Sequence, residues 1–110
     1  MKCLYVQVKY TLKSGVRDDF YQRFRDNNIR EMSSTEDGNI EFEIYMPQDR
    51  GNEICIFEKW ETLEAQEKHT QTLHFAILCE LKAKYAKKVE VKKYWLTDFD
   101  DAEVEDIALR

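Results

Sequence analysis

The chain has 110 residues, of which 43% are hydrophobic and 35% charged, a balance typical of one folded domain and not of a disordered chain. Its apolar runs are shorter than the roughly 18 residues of a membrane helix, and its basic residues form no stripe interleaved with aromatics that would indicate nucleic-acid binding. The net charge of −5 is concentrated in residues 98–110, so we predict neither a membrane nor a nucleic-acid partner for the balanced remainder.

The pattern of apolar residues predicts six elements in chain order, with period two for strands and period 3.6 for helices. They are a strand over 2–10, a helix over about 16–33, strands over 40–46 and 54–60, a helical region over about 62–85 and a strand over 88–95. Glycine and asparagine at Ser14-Gly15 and Asp37-Gly38-Asn39 mark turns between them. The second helical region is either continuous or broken near residues 70–72.

The order β-α-β-β-α-β predicts a ferredoxin-like α+β fold. In this arrangement a four-stranded antiparallel sheet carries its helices on one face. We assign residues 1–97 to this domain and residues 98–110 to an acidic C-terminal tail.

The predicted strands are apolar on both faces, as the strand over 54–60 illustrates. Ile54 and Ile56 point to one side, and Cys55 and Phe57 point to the other. A sheet with one wet face alternates apolar with polar residues, yet two helices cover one face only. We therefore predict a homodimer formed through the free sheet face; the alternative is that the acidic tail folds back over it.

Glu58 is the candidate general base, because it shares a strand face with Ile54, Ile56 and Trp60. Burial of an unpaired carboxylate raises its pKa toward the value that proton transfer at neutral pH requires. The alternative is a salt bridge to a neighbouring Lys or Arg.

His69 and His74 are the only histidines, and imidazole can transfer protons near neutral pH. Five positions apart, they cannot share a face of one straight helix, but a break near residues 70–72 lets them converge. We predict catalytic roles for His69 and His74. An alternative is a metal site formed by the two histidines and Glu58. We predict no metal and no cofactor.

Four further residues are predicted to bind a small-molecule substrate. Trp60 either lines the pocket or fills the core, and Phe75 follows His74 on an apolar stripe. Asn28 lies within the stripe set by Phe24 and Met32, where a buried amide needs a partner. Gln7 is assigned to the pocket face together with Glu58 and Trp60.

Cys3, Cys55 and Cys79 are odd in number and form no CxxC pair, which argues against a disulfide framework or structural zinc. They favour a reducing compartment, and the polar N-terminus is not typical of a signal peptide. We therefore predict a cytoplasmic location.

Several motifs together resemble the antibiotic-biosynthesis-monooxygenase family, over about Cys3 to Trp95. They are Ser14-Gly15 before Phe20, the segment Asp37-Gly38-Asn39-Ile40-Glu41-Phe42-Glu43-Ile44-Tyr45, Glu58-Lys59-Trp60, Glu64-Ala65, and His69 followed by His74-Phe75. The resemblance implies a dimeric α+β barrel whose pocket lies between the sheet and the helices of each protomer.

The resemblance implies several activities. Cofactor-free members oxidise phenols or quinols with molecular oxygen, others isomerise a phosphorylated sugar derivative of the autoinducer-2 pathway, and others degrade haem. Asn28 stands where isomerase-like members carry a histidine, and Gln7 stands where haem-degrading members carry an asparagine. We therefore predict a monooxygenase acting on a small electron-rich aromatic; the alternatives are the isomerase, with Arg25, Arg30 and Lys59 as candidate phosphate-binding cations, and a non-catalytic binding or stress module.

Overall fold

The computed structural model describes residues 2–98, and the acidic tail after Asp98 lies outside the described residues. Eight elements follow one another: β1 (Lys2–Leu12), α1 (Arg17–Asp26), α2 (Ile29–Ser34), β2 (Asn39–Tyr45), β3 (Glu53–Trp60), α3 (Leu63–His69), α4 (Leu73–Tyr85) and β4 (Ala86–Thr97). Within this part of the chain, none of the helices is long and apolar enough to cross a membrane.

The four strands form one antiparallel sheet in the order β2-β3-β1-β4. Helices lie on one face only, so the predicted ferredoxin-like α+β architecture is confirmed. Strict alternation along β1 and β3 produces the core, because every second side chain faces the helices. The buried strand residues on this side include Leu4, Val6, Ile54, Ile56 and Trp60.

The predicted helix over 16–33 is divided at Asn27-Asn28. Asn28 adopts a left-handed conformation with φ of 51°, which asparagine tolerates better than most residues. The turn changes the helical phase, so Ile29 and Ser33 take the buried positions of α2. Asn28 is exposed and Met32 is 50% exposed, so the prediction that Asn28 lies in a buried stripe with Met32 is wrong.

The second helical region is broken between α3 and α4, in agreement with one of the two interpretations of its sequence. Thr62 and Thr72 begin the two helices, and their hydroxyls accept hydrogen bonds from the amides of Ala65 and Phe75. Each threonine satisfies an amide that has no partner within its own helix. The chain therefore begins a new helix at Leu73, four residues after His69.

The sheet edge at β4 is exposed on the side that faces the helices. Val91 is 53% exposed and Trp95 is 51% exposed, although both point toward the helical layer. The register pairs Val91 with Val8 and Trp95 with Leu4, so these side chains extend the apolar face of β1. An open apolar margin thus leads from β4 toward the core.

Candidate functional site

Glu36 joins the two histidines on the helical side of the sheet. Its Oε2 atom lies 2.6 Å from Nδ1 of His69 and 2.8 Å from Nε2 of His74. His69 is 1% exposed and His74 is 7% exposed, so one carboxylate oxygen contacts two buried imidazole rings. Burial lowers the pKa of His69, against the opposing effect of Glu36. His69 is therefore favoured as the neutral imidazole.

The break between α3 and α4 produces this convergence. His69 ends α3 and His74 is the second residue of α4, and their ring centroids are 5.7 Å apart. The convergence that the sequence allowed is confirmed. Glu36 was not predicted as a site residue, because it lies 33 residues before His69 and only the fold brings the two together.

A glycine positions the turn that carries Glu36. Gly38 has φ of +81°, and a Cβ atom built on it would lie 2.6 Å from Cβ of Ala65 in α3. The backbone carbonyl of Gly38 also accepts a 2.7 Å hydrogen bond from the amide of Glu61. The turn at Asp37-Gly38-Asn39 was predicted from the sequence, but the position that it gives to the Glu36 side chain was not.

Glu58 lies on β3 and is 6% exposed. The indole Nε1 of Trp60 donates a 3.0 Å hydrogen bond to its Oε1 atom. Burial raises the pKa of Glu58 to about 7, while the Trp60 hydrogen bond and the charge of Lys93 oppose the rise and the charge of Glu36 adds to it. Glu58 is therefore close to half-ionised at neutral pH.

Aromatic rings surround His69 and connect it to the Glu58 region. The centroid of the His69 ring lies 5.0 Å from Trp60, 5.3 Å from Phe75 and 5.6 Å from Phe42. Trp60 is fully buried, so it fills the core while it holds Glu58. Phe75 is only half-buried.

One row of the sheet places Lys93 near Glu58. The register pairs Val6 with Glu58 on one side and with Lys93 on the other, so all three face the helices. Lys93 Nζ donates a 3.5 Å hydrogen bond to Oε1 of Gln66 in α3. A cationic side chain thus stands between the exposed β4 margin and the buried carboxyl.

Gln7 lies on the opposite face of the sheet, so its predicted place beside Glu58 and Trp60 is wrong. The register pairs Gln7 with Phe57, because odd-numbered residues of β1 point away from the helices. Its amide nitrogen is 3.3 Å from the Tyr5 hydroxyl. A groove of about 230 Å³ lies on this face, on the other side of the sheet from the Glu36 carboxylate. It is lined by Gln7, Val8, Lys9, Cys55, Phe57, Glu90 and Lys92.

The three cations considered for phosphate binding have other contacts. Arg30 forms a two-pronged ion pair with Glu43, and Lys59 lies 3.3 Å from a carboxylate oxygen of Glu41. Arg25 is exposed and stacks over the ring of Tyr21. The structure does not bring these cations to the Glu36 and Glu58 carboxylates.

Comparisons with known proteins agree with this architecture. The family model for antibiotic biosynthesis monooxygenases matches residues 3–80. A search of curated proteins gives no match. Among solved structures, a Pseudomonas aeruginosa protein superposes with a TM-score of 0.80 at 16% identity, covering 89% of this chain and 97% of the other.

Two further solved structures show the same fold. A candidate antibiotic biosynthesis monooxygenase from Nitrosomonas europaea has a TM-score of 0.76 at 22% identity, covering 83% of this chain and 95% of its own. A conserved protein from Methanosarcina mazei has a TM-score of 0.77 at 20% identity, covering 86% and 92%.

Proposed function

We propose that this chain, which belongs to the antibiotic biosynthesis monooxygenase family, oxidises a small electron-rich aromatic with molecular oxygen and without a bound cofactor. The overall reaction converts a phenol and O₂ into the corresponding quinone and water. One oxygen atom enters the ring, the other leaves as water, and the substrate supplies the electrons.

The observation that supports this proposal best is the buried carboxyl of Glu58. A carboxyl whose pKa is about 7 can accept the phenolic proton at neutral pH, where an ordinary carboxylate is too weak a base. The resulting phenolate is electron-rich enough to reduce oxygen directly. The Trp60 indole holds one oxygen of Glu58 and so fixes the direction of the carboxyl group.

The exposed β4 margin is the surface from which we expect an aromatic substrate to approach this base. Val91 and Trp95 present apolar surface on the helical side, and Lys93 lies between them in sequence. An aromatic ring can contact the apolar side chains while its phenolate oxygen approaches the Lys93 ammonium. Phe75 remains a proposed substrate-binding residue, and His69 and His74 remain proposed proton-transfer residues. Asn28 is exposed at a helix break, which argues against its predicted role in substrate binding.

We also propose that the functional unit is a homodimer formed through the open sheet face. A continuous row of rings crosses all four strands on that face, with centroids 6.5 Å apart from Tyr94 to Tyr5, 6.2 Å from Tyr5 to Phe57 and 5.1 Å from Phe57 to Tyr45. Tyr45 is 50% exposed and Tyr94 is 46% exposed. An exposed apolar patch of this kind is typical of a protein interface.

A cytoplasmic location is part of the same proposal. Cys3, Cys55 and Cys79 are all free and half-buried, in keeping with a reducing compartment.

Oxygen consumption tests the proposed activity directly. Chelator-treated protein is mixed with a panel of phenols and quinols, and oxygen uptake is followed with an electrode without added metal or flavin. We expect uptake with at least one substrate and an acidic limb near pH 7 in kcat/KM, because Glu58 must be ionised.

Substitution of the base completes the test. We expect E58Q to lower kcat by at least about 100-fold, the smaller end of the usual contribution of a general base. E80Q, which changes an exposed carboxylate of α4, is the matched control and keeps full activity. The absence of oxygen uptake across the panel would refute the proposed activity, and an active E58Q protein would refute the role of Glu58.

A further inference from the structure

We propose that Glu36, His69 and His74 form a binding site for a first-row divalent transition metal, with Zn²⁺ as the reference ion. This inference departs from the prediction of no metal and goes beyond the proposed oxidation, which needs none. Two imidazoles and one carboxylate are ligands that suit Zn²⁺, Co²⁺ and Ni²⁺.

The ligand atoms already lie in one small volume. One atom from each residue can be chosen so that all three lie within 4.8 Å of one another. Around Zn²⁺, ligands at about 2.0–2.2 Å in tetrahedral geometry stand roughly 3.3–3.6 Å apart. The contacts of 2.6 and 2.8 Å between Glu36 and the imidazoles therefore need to open by only a fraction of an ångström to about one ångström, which a glutamate side chain can provide.

The surrounding structure holds the ligands in place without the ion. Rings on three sides fix the plane of His69, and Thr72 begins α4 so that His74 turns toward Glu36. The close contact of Gly38 with Ala65 fixes the turn that follows Glu36. A site whose ligands are ordered in advance loses less conformational entropy when the ion binds.

Charge also favours the ion, because Glu36 offers a carboxylate beside the two imidazoles. The carboxylate then supplies one negative charge within a largely buried site, where it attracts a cation more strongly than in water.

An acidic groove lies beside the chain segments that carry two of the ligands. The groove has a volume of about 200 Å³ and is lined by Asp37, Gly38, Glu61, Thr62, Glu64, Ala65 and Lys68. Three carboxylates face one lysine there, and Asp37 and Lys68 adjoin Glu36 and His69 in sequence. A surface with this excess of negative charge raises the local concentration of cations.

Three protein ligands leave one tetrahedral position open. In zinc proteins an open position of this kind holds water or a small anion, and it distinguishes such sites from four-ligand structural sites. Occupancy would engage one nitrogen of His69 and of His74, whereas Glu58 keeps its own hydrogen bond to Trp60. The metal ligands and the proposed base Glu58 are thus different side chains, although His69 and His74 take part in both proposals.

Titration with Co²⁺ tests the proposal on the full chain, freed of any affinity tag and of metal. We expect visible absorption bands that saturate at one ion per chain, displacement by Zn²⁺, and a Kd for Zn²⁺ below about 10 μM by calorimetry. We expect E36Q and H74A each to weaken binding by at least about 100-fold, since loss of a direct ligand should cost no less than loss of its supporting contacts.

Three controls make the outcome decisive. Circular dichroism establishes that each variant is folded, and E36Q, a nearly isosteric change, keeps the test valid if H74A does not fold. E58Q should bind Zn²⁺ like the parent chain. The proposal is overturned by the absence of saturable binding, by equal binding in E36Q, or by a thiolate charge-transfer band that places Co²⁺ on a cysteine. The oxygen-uptake test is done with chelator present, so its outcome and the outcome of the metal titration can be told apart.

Discussion

The buried carboxyl of Glu58 and the half-buried carboxyl of Glu36 have different surroundings although they lie on the same side of the sheet. Glu58 receives one indole hydrogen bond within an apolar strand face, whereas Glu36 contacts two imidazoles. The first arrangement leaves the cost of burying a charge largely uncompensated, so the proton is retained up to about pH 7. The second places a carboxylate among groups that can share a proton or a cation.

The raised pKa of Glu58 predicts a pH-dependent gain in stability for E58Q. The unfolded carboxyl loses its proton near pH 4.5, whereas the folded one keeps it to about pH 7, so this group's contribution to stability is lost between those values. We expect the free energy of unfolding of E58Q, relative to the parent chain, to rise by roughly 3 kcal/mol across this window.

Urea denaturation of both proteins at several pH values measures that difference. E80Q serves as the control, since its carboxylate is exposed in the folded chain. A difference between E58Q and the parent that does not change with pH would contradict the raised pKa.

Loss of the Glu36 carboxylate should destabilise the fold. In E36A the buried nitrogens of His69 and His74 lose their common partner, and each unsatisfied buried polar group costs about 1–3 kcal/mol. E36Q retains one acceptor oxygen and should cost less. Thermal and urea unfolding check the order, with E31A on the exposed side of α2 as a control; equal stability of E36A and E31A would show that the contacts are weak.

At the scale of elements, the strands were predictable and the helix breaks were only partly so. Alternation specifies which side of β3 is buried, since a shift by one residue would turn Ile54, Ile56 and Trp60 outward. The same alternation assigns Gln7 to the open face, and its predicted place beside Glu58 failed because it did not follow this rule. The left-handed Asn28 has no such periodic signal, and the only local hint is the Asn27-Asn28 pair, since asparagine favours turns over helix interiors.

The contact between the turn after α2 and α3 predicts a large effect of G38A. Alanine at φ of +81° is strained, and its Cβ would overlap Cβ of Ala65, which together should cost about 3 kcal/mol. G15A provides the matched control: its φ is +75°, but the space around it is open, so we expect only about 1 kcal/mol.

The double variant G38A/A65G separates the two causes. Removal of the Ala65 methyl group relieves the overlap but not the backbone strain, so we expect partial recovery of stability. Equal effects of G38A and G15A in denaturant titrations would show that the close approach is unimportant.

At the scale of the whole molecule, the two sheet faces have different roles. The helical face contains both carboxyl groups and the histidines, whereas the open face carries the aromatic row from Tyr45 to Tyr94. The apolar character of both faces could be recognised in the sequence, because Cys55 and Phe57 alternate with Ile54 and Ile56. The meeting of Glu36 with His69 could not, since it depends on the sheet order and on two helix breaks.

The aromatic row predicts that a charge at its centre prevents dimer formation. Phe57 lies on a central strand and contacts Tyr5 and Tyr45, so F57E would place a carboxylate in the middle of a desolvated interface. Because the side chain is only half-buried within one protomer, the fold should tolerate the change while the dimer Kd rises by at least about 100-fold, or roughly 2.7 kcal/mol. Sedimentation velocity over a concentration series measures this, and L73E, at a 78% exposed position of the helical layer, should remain dimeric. A monomeric parent chain would refute the dimer. An F57E protein as dimeric as L73E would place the interface away from the open face.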